Sequence, residues 1–175
     1  MKVHILGASG SGVTTLGRAL SEATGKSYVD ADDYYWEHKF TVKRPAPERN
    51  ANIKATLEAR QEWILGGSIV SWGKEVFPPF DLIVFLWIPG DIRMKRLQER
   101  ERERYGPTFE TDPERKKLHE AFMDWARGYD VPGATIRSLT VHLGWLKEQT
   151  CPVIRIQGDT SIEERLQLCL KALNC

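Results

Sequence analysis

Cysteines and long apolar runs are scarce in this sequence. Its three cysteines, Cys151, Cys169 and Cys175, make an odd number without paired spacing, which favours reduced thiols over a disulfide framework or a zinc site. The longest apolar run, residues 82–88, is far shorter than the roughly 20 residues that a membrane-spanning helix needs. The N-terminal residues pass directly from an apolar run to glycines, without the pattern of a signal peptide. We therefore expect a cytoplasmic protein with no membrane partner.

An excess of charge of one sign is also missing. The chain has 25 Lys and Arg against 24 Asp and Glu, which leaves a formal net charge of +1. A surface that binds nucleic acid needs a basic surplus, so this balance argues against a nucleic-acid partner. The 175 residues contain no internal repeat or low-complexity tract. Because a domain usually has about 150 residues, we expect one domain over residues 1–175.

Short apolar runs alternate with helical patterns along the chain. The runs predict buried strands at residues 3–6, 27–29, 63–65, 82–88 and 152–156. They are continuous rather than alternating, which is typical of parallel strands that are covered on both faces. Helices are predicted at residues 14–24, 48–62, 91–104 and 161–173, the last with Ser161 and Glu164 as a capping box. The order predicts a three-layer α/β/α sandwich around a five-stranded parallel sheet.

A glycine-rich segment follows the first predicted strand. Residues 7–15, GASGSGVTT, match the phosphate-loop pattern G-x-x-x-x-G-K-[ST], except that Val13 stands in place of the lysine. The glycines let backbone N–H groups converge on an anion, and the following helix adds its N-terminal N–H groups. Thr14 occupies the position whose hydroxyl binds Mg²⁺. The candidate nucleotide-binding residues of the loop are Gly7, Ser9, Gly10, Ser11, Gly12, Val13, Thr14 and Thr15.

The missing lysine separates nucleotide binding from catalysis. In phosphate-loop enzymes that lysine cradles the β- and γ-phosphates, and a valine cannot supply its charge. Two alternatives follow from Val13. Either another cation replaces the lysine, or the protein binds a nucleotide without efficient turnover.

Three segments of the chain resemble a known family. Residues 7–20 (GASGSGVTTLGRAL), 43–45 (KRP) and 101–106 (ERERYG) resemble the adenylate-kinase-related small P-loop proteins, and within them the bacterial topology-modulation-protein-like members of the nucleotide and shikimate kinase group. The resemblance implies the P-loop NTPase fold of kinases, with ATP and Mg²⁺ as cofactors. It also implies an acceptor-binding segment at about residues 34–62 and a helical lid insertion at about residues 105–136. It identifies no acceptor.

Three carboxylates, Asp30, Asp32 and Asp33, follow the second predicted strand. Ligands bind at this edge of α/β sheets. The run Asp-Asp-Tyr-Tyr resembles the signature of small-molecule kinases that act on hydroxyl groups, which implies that Asp32 is a catalytic base or helps to hold Mg²⁺. Asp32 is the preferred candidate, and the alternative is that these carboxylates cap a helix. Gly66 stands where adenylate kinases have an acidic residue.

Arginines recur every fourth residue in the predicted helix at residues 91–104. Arg96, Arg100 and Arg104 share one face, although interleaved glutamates also fit a solvated helix with ion pairs. By resemblance, Arg96 and Arg100 take the positions of two arginines at the start of the lid, and Arg137 that of an arginine that reaches the transferred phosphate. Arginines on a lid are candidates to replace the charge that Val13 lacks.

Other candidate residues have weaker patterns. Lys43 and Arg44 lie in the predicted acceptor segment, where an anion-binding role and an ordinary surface role are about equally supported. An aromatic group, formed by Tyr34, Tyr35, Trp36 and Trp72, fits the core better than it fits an acceptor pocket. Residues 155–159 resemble the turn that contacts adenine in this fold. The four histidines show no spacing typical of metal ligands.

Two functions from different classes remain open on the sequence. The preferred one is an ATP-dependent phosphotransferase whose acceptor is a small molecule or a nucleotide. In it Asp32, Arg100 and Arg137 are catalytic, Thr14 and Asp32 hold Mg²⁺, and Arg96 helps to bind the nucleotide. The alternative is a catalytically weak nucleotide-binding regulatory module. DNA binding, suggested only by the family label, is disfavoured by the neutral net charge. The acceptor, the choice of ATP or GTP and the oligomeric state are not predicted.

Overall fold

The computed structural model describes residues 1–38, 41–106, 108–133 and 137–173. The strands in these residues are β1 (Lys2–Gly7), β2 (Ser27–Asp30), β3 (Trp36–His38), β4 (Val42–Lys43), β5 (Trp63–Gly66), β6 (Leu82–Trp87) and β7 (Val153–Gln157). The helices are α1 (Val13–Thr24), α2 (Ala31–Tyr35), α3 (Ala46–Glu58), α4 (Gly90–Tyr105), α5 (Thr108–Thr111), α6 (Pro113–Arg127), α7 (Leu139–Lys147) and α8 (Ile162–Leu173). No helix within these ranges is both long enough and apolar enough to cross a membrane.

Five strands form one parallel sheet in the order β2–β5–β1–β6–β7. Strand β1 lies at its centre, with Val3 opposite Ile64 of β5 and Leu82 of β6. Both faces of the sheet are covered, which explains the continuous apolar runs. Residues of α1 and α8 pack on one face, and residues of α3 and α7 pack on the other. The predicted α/β/α sandwich with a five-stranded parallel sheet is confirmed.

Two features differ from the sequence prediction. Helix α3 ends at Glu58 rather than at residue 62, because Glu62 pairs with Lys26 beside β2 and residues 59–62 lead into β5. The antiparallel pair β3–β4 was not predicted, since its short strands are mostly exposed and carry no apolar alternation. This pair and α3 occupy the predicted acceptor-binding segment. Residues 39 and 40 of that segment lie outside the described residues.

The predicted lid contains two of the helices, α5 and α6. Helix α6 packs on α4 through Met123 and Ala126, which contact Leu97 in a small apolar cluster. Residue 107 and residues 134–136 of the predicted lid lie outside the described residues. A lid function for this segment stays a prediction.

The side chain of Tyr28 packs between two glycines of neighbouring elements. A Cβ atom added to Gly17 of α1 would lie 2.2 Å from Cε2 of Tyr28, and one added to Gly66 of β5 would lie 2.2 Å from its hydroxyl oxygen. Both contacts are far shorter than van der Waals distance, so the ring depends on the absence of a side chain on either side. The ring therefore joins α1, β2 and β5 where the sheet meets the first helix.

The capping box at the start of α8 is present as predicted. The N–H of Glu164 donates to Oγ of Ser161 at 3.1 Å, and the N–H of Ser161 donates to the Glu164 carboxylate at 2.8 Å. These two bonds satisfy N–H groups that would otherwise lack partners at the helix start. They also fix the first turn of α8, which carries Arg165 towards β1 and α1.

Candidate functional site

The glycine-rich loop between β1 and α1 has a backbone that side chains would disrupt. Gly10 and Gly12 have φ angles of +81° and +92°, a region that favours glycine. A Cβ atom at Gly7 would lie 2.5 Å from the carbonyl oxygen of Leu86. The N–H of Ser11 donates to the carbonyl of Ala8 at 3.1 Å, which closes the turn. The loop therefore has the tight curvature that an anion-binding loop before a helix requires.

A cavity of about 610 Å³ lies beside this loop and is called the loop cavity below. Among the described residues, six arginines line it and Asp30 is the single carboxylate. Of the predicted nucleotide-binding residues, Gly7, Ser9, Gly10, Gly12, Val13, Thr14, Thr15 and Arg96 line the cavity. Ser11 is fully buried and does not line it. This surplus of positive charge suits a polyanionic ligand.

The carboxylate that contacts Thr14 is that of Asp30. Its Oδ2 accepts hydrogen bonds from the hydroxyls of Thr14 and Tyr28, both at 3.4 Å, while its Oδ1 caps α2 by accepting from the N–H of Asp32 at 3.0 Å. Asp32 lines neither this cavity nor the second one described below. Burial, followed by a neighbouring arginine, lowers the pKa of Arg100, and the charge of Asp32 opposes that shift. Asp32 thus lies within electrostatic reach of Arg100, and the capping interpretation applies to Asp30.

Helix α4 presents a row of arginines to the loop cavity, as their spacing predicts. Arg96, Arg100 and Arg104 all line it. Arg96 pairs with Asp159 in the turn after β7. Nη2 of Arg100 and Nη1 of Arg104 lie 3.7 Å and 3.5 Å from Oε1 of the buried Glu101. The three arginines therefore share one face along the loop cavity and also form ion pairs with acidic residues, so both interpretations of the sequence describe part of this helix.

Two other arginines, Arg93 and Arg44, hold the fold together. Arg93 is 1% exposed; it donates to the carbonyl of Ile88 at 3.1 Å and pairs with Asp130. Arg44 donates from Nε to the carbonyl of Tyr34 at 3.1 Å and from Nη1 to Glu48 at 2.7 Å. Since their donors bind protein groups, neither is a candidate ligand-binding residue.

Sequence reasoning missed Arg165, which lies directly under the loop. Its side chain is 4% exposed and lines the loop cavity. Its Nη1 donates to the carbonyl of Ser11 at 2.9 Å, and its Nε donates to Oγ1 of Thr160, also at 2.9 Å. No local motif marks this residue. The capping box at Ser161 and Glu164 was the only nearby signal, and it predicts a helix start rather than a function.

A second cavity of about 390 Å³ lies between α4, α6 and the β3–β4 pair, and is called the aromatic cavity below. Aromatic rings make up much of its wall: Tyr35, Trp36, Tyr105, Phe122 and Trp125. Lys43 lines it, with Nζ 5.9 Å from the centre of the Tyr35 ring. Trp72 is buried in the core, as the core interpretation predicts, and contacts the Arg49 guanidinium. The aromatic residues therefore divide between the core and this cavity.

The two cavities meet at residues that line both of them. These residues are Ser9, Ser68, Arg100, Arg104 and Arg137. We call this set the junction. It brings together the two arginines predicted to be catalytic, which are separated in the sequence by the α5–α6 segment. Arginine groups between two ligand-sized spaces can stabilise negative charge that passes from one ligand to the other.

A buried chain of hydrogen bonds ends at the junction. Ser68 Oγ lies 2.9 Å from Nε2 of His142, and Nδ1 of the same ring lies 2.8 Å from the hydroxyl of Tyr129. Burial, followed by the charges of Arg137 and His4, lowers the pKa of His142 to about 3, so the ring is neutral at pH 7. A neutral ring donates at one nitrogen and accepts at the other, which orients the Ser68 hydroxyl. The sequence places these residues far apart and did not reveal the chain.

Comparison with solved structures defines the class of fold. Over 100% of both chains the protein resembles deoxyadenosine kinase from M. mycoides with bound dATP, at a TM-score of 0.59 and 12% identity. Over 98% of this chain and 91% of the other it resembles shikimate kinase from Acinetobacter baumannii in complex with shikimate (TM-score 0.57, 18% identity). A gluconokinase from Sinorhizobium meliloti is similar over 99% of this chain and 91% of its own (TM-score 0.55, 16% identity). The protein has the P-loop fold of these kinases.

Comparison with curated proteins defines the family. The chain is 42% identical over 172 residues to the uncharacterized protein YqaC from Bacillus subtilis (strain 168). The aligned residues cover 98% of this chain and 97% of YqaC. The chain belongs to the same family as YqaC. No family model matches the chain.

Proposed function

We propose that this protein is an ATP-binding phosphotransferase with a small-molecule or nucleotide acceptor. The junction is the observation that carries the proposal. A cavity beside the phosphate loop meets an aromatic cavity of ligand size at Arg100, Arg104 and Arg137. Phosphoryl transfer needs a donor and an acceptor in line, with cations around the group that moves between them. The P-loop fold of kinases supports the same conclusion.

The loop residues fit a nucleotide with Mg²⁺. Backbone N–H groups of the loop and of the first turn of α1 would bind the phosphate chain. The Thr14 hydroxyl and the Asp30 carboxylate lie beside each other in the loop cavity, and both offer the oxygen atoms that Mg²⁺ prefers. Bound there, the metal would neutralise charge on the phosphates. In this assignment Asp30 takes the metal-holding role for which the sequence favoured Asp32.

The chain's own residues orient and neutralise the reacting groups. Arg100 and Arg137 stabilise the charge that develops on the transferred phosphoryl group, while Ser68 offers an oriented hydroxyl to it. Asp32 stays the predicted base for a hydroxyl acceptor; its charge opposes the lowering of the Arg100 pKa by burial, and its side chain lines neither cavity. An acceptor that is already an anion needs no base.

A nucleotide-binding regulatory module is the second candidate function. Val13 and Gly66 favour it, because they replace the lysine and the acidic residue of related kinases. The topology-modulation-protein-like subgroup, to which the sequence resemblance points, is part of this alternative and stays a prediction.

Two measurements test the proposal. Mg-ATP at millimolar concentration should raise the melting temperature, as any ligand of the native state does. A coupled ADP-release assay over nucleoside monophosphates, nucleosides and small hydroxyl metabolites should then find an acceptor that Arg100→Ala turns over at least tenfold more slowly. The matched control is Arg102→Ala, since Arg102 is an exposed residue of the same helix that lines neither cavity. Binding without turnover of any acceptor would favour the regulatory module.

A further inference from the structure

The charge that Val13 lacks has a candidate source in the last described helix. Val13 is the first residue of α1, directly after Gly12. A Cβ atom added to Gly12 would lie 3.0 Å from Nη1 of Arg165, so this guanidinium touches the loop next to the position of the missing lysine. Arg96, Arg100 and Arg104 keep about 36 to 43% of their side chains exposed, whereas Arg165 keeps 4%. Arg165 is thus a fixed cation at the loop.

The guanidinium of Arg165 has hydrogen-bonding capacity left over. Its Nε and Nη1 donate to Thr160 and Ser11, as described above. Its Nη2 is buried and makes no hydrogen bond with the described residues. The nearest carboxylate oxygen, Oδ1 of Asp159, lies 3.9 Å from Nη2 and also pairs with Arg96. A buried cationic donor without a hydrogen bond is costly, and an anion in the adjoining cavity would satisfy it.

The local charges point the same way. Burial, followed by the charge of Arg96, lowers the pKa of Arg165, while Asp159 and Glu164 act against this shift. Two arginines that line the loop cavity, Arg96 and Arg165, share the exposed carboxylate of Asp159, which does not itself line the cavity. Like charges that are held together at a cavity are typical of a binding site for a polyanion.

We propose that Arg165 replaces the missing loop lysine, binding the phosphate groups of the nucleotide through Nη2 while Nη1 holds the loop at Ser11. This inference rests on the proposed binding of a nucleotide at the loop. It assigns the substitute charge to α8, whereas the sequence pointed to the lid arginines. Arg100 and Arg137 then act at the junction on the transferred group, and Arg165 acts on the bound phosphate chain.

Calorimetric titration with Mg-ATP and with inorganic tripolyphosphate tests the assignment. Arg165→Gln keeps a side-chain donor for the Ser11 carbonyl but loses the charge. We expect it to bind both ligands about ten- to a hundredfold more weakly, the effect of one charge-assisted hydrogen bond. The matched control is Arg60→Gln, since Arg60 is exposed, lines neither cavity and also donates to a backbone carbonyl, that of Thr56 at 2.6 Å. The control should bind as the wild type does.

Rescue separates charge from a purely structural role. In the double variant Arg165→Gln/Val13→Lys, the restored lysine should recover at least tenfold of the lost affinity for tripolyphosphate. A clamp that only shapes the loop at Ser11 would not be rescued by a charge at residue 13. Failure of this rescue in a folded protein therefore overturns the inference.

The remaining outcomes are also decisive. If the wild type binds neither Mg-ATP nor tripolyphosphate, the proposed function fails; if it binds both and Arg165→Gln binds equally well, only this inference fails. Should Arg165→Gln not fold, the test uses Asp159→Asn instead, made in a protein that already carries Arg96→Gln. Asp159 is exposed, and without Arg96 its remaining arginine partner is Arg165. Removing that carboxylate should tighten tripolyphosphate binding severalfold, and unchanged or weaker binding overturns the assignment.

Discussion

Gly17→Ala tests how tightly the Tyr28 ring is packed. A Cβ atom at residue 17 would lie 2.2 Å from Cε2 and 2.7 Å from Cδ2 of Tyr28. The ring cannot retreat towards Gly66, because it already occupies the space that a side chain would take there. The substitution therefore forces either the ring or helix α1 to move.

Two opposing effects decide the size of the change. Alanine stabilises a helix interior by about 1 kcal/mol relative to glycine. Overpacking a core typically costs about 1 to 3 kcal/mol, and a contact of 2.2 Å with a ring confined on both sides belongs at the upper end. We expect the free energy of unfolding to fall by about 1 to 2 kcal/mol, which corresponds to a melting temperature about 2 to 8 °C lower for a chain of this size.

Urea unfolding of four variants measures this balance. The control is Gly144→Ala in α7, where an added Cβ meets no atom within 4 Å and should stabilise the protein by about 1 kcal/mol. In a Tyr28→Leu background the obstacle is smaller, so Gly17→Ala should change sign and become stabilising. If Gly17→Ala alone stabilises the protein as much as Gly144→Ala does, the packing argument is wrong.

Three further predictions concern the site and pH. Arg137→Ala should lower turnover at least tenfold while changing the dissociation constant of ATP less than threefold; an equal loss in both would place Arg137 in ground-state binding. Asp30→Asn should weaken Mg-ATP binding more than Asp32→Asn does in calorimetry, because Asp30 contacts Thr14; the reverse order would restore Asp32 as the metal-holding residue. Burial lowers the pKa of His4 to about 4 and that of His142 to about 3, whereas the unfolded chain protonates both rings near pH 6.5. Below about pH 6.5 the unfolded state therefore binds more protons than the folded state, and the free energy of unfolding falls by about 2 kcal/mol per ring at pH 5. A urea midpoint that stays the same from pH 7 to pH 5 would contradict this.

The sheet was predictable because its signals are local. Strands β5 and β6 are continuous apolar runs and β1 is nearly so, and the starts of α1 and α8 are marked by Gly12 and Ser161. The β3–β4 pair was not predictable for the converse reason: its strands of three and two residues bury little and show no periodicity.

The candidate site was predictable only in part, since much of it depends on which residues the fold brings together. The regular spacing on α4 places Arg96, Arg100 and Arg104 along one cavity. The choice between Asp30 and Asp32 depends instead on where β2 ends, because Asp30 is the last residue of the strand and turns its carboxylate to both Thr14 and the start of α2. Arg165 has no sequence signal at all, as its partner at residue 11 belongs to a distant segment.

The bond between Arg165 and Ser11 can form only late in the synthesis of the protein. These residues are 154 positions apart, so residues 7–15 leave the ribosome long before the helix that holds them is synthesised. Strand β1 also pairs with β5 and β6, both of which are translated later than the loop. Because domains generally fold as units during synthesis, a nascent chain that stops before α8 carries the complete glycine motif without the contact that fixes it. On the proposed binding of a nucleotide at the loop, tight binding would therefore begin only once α8 has been made, and a shorter nascent chain would not hold the ligand.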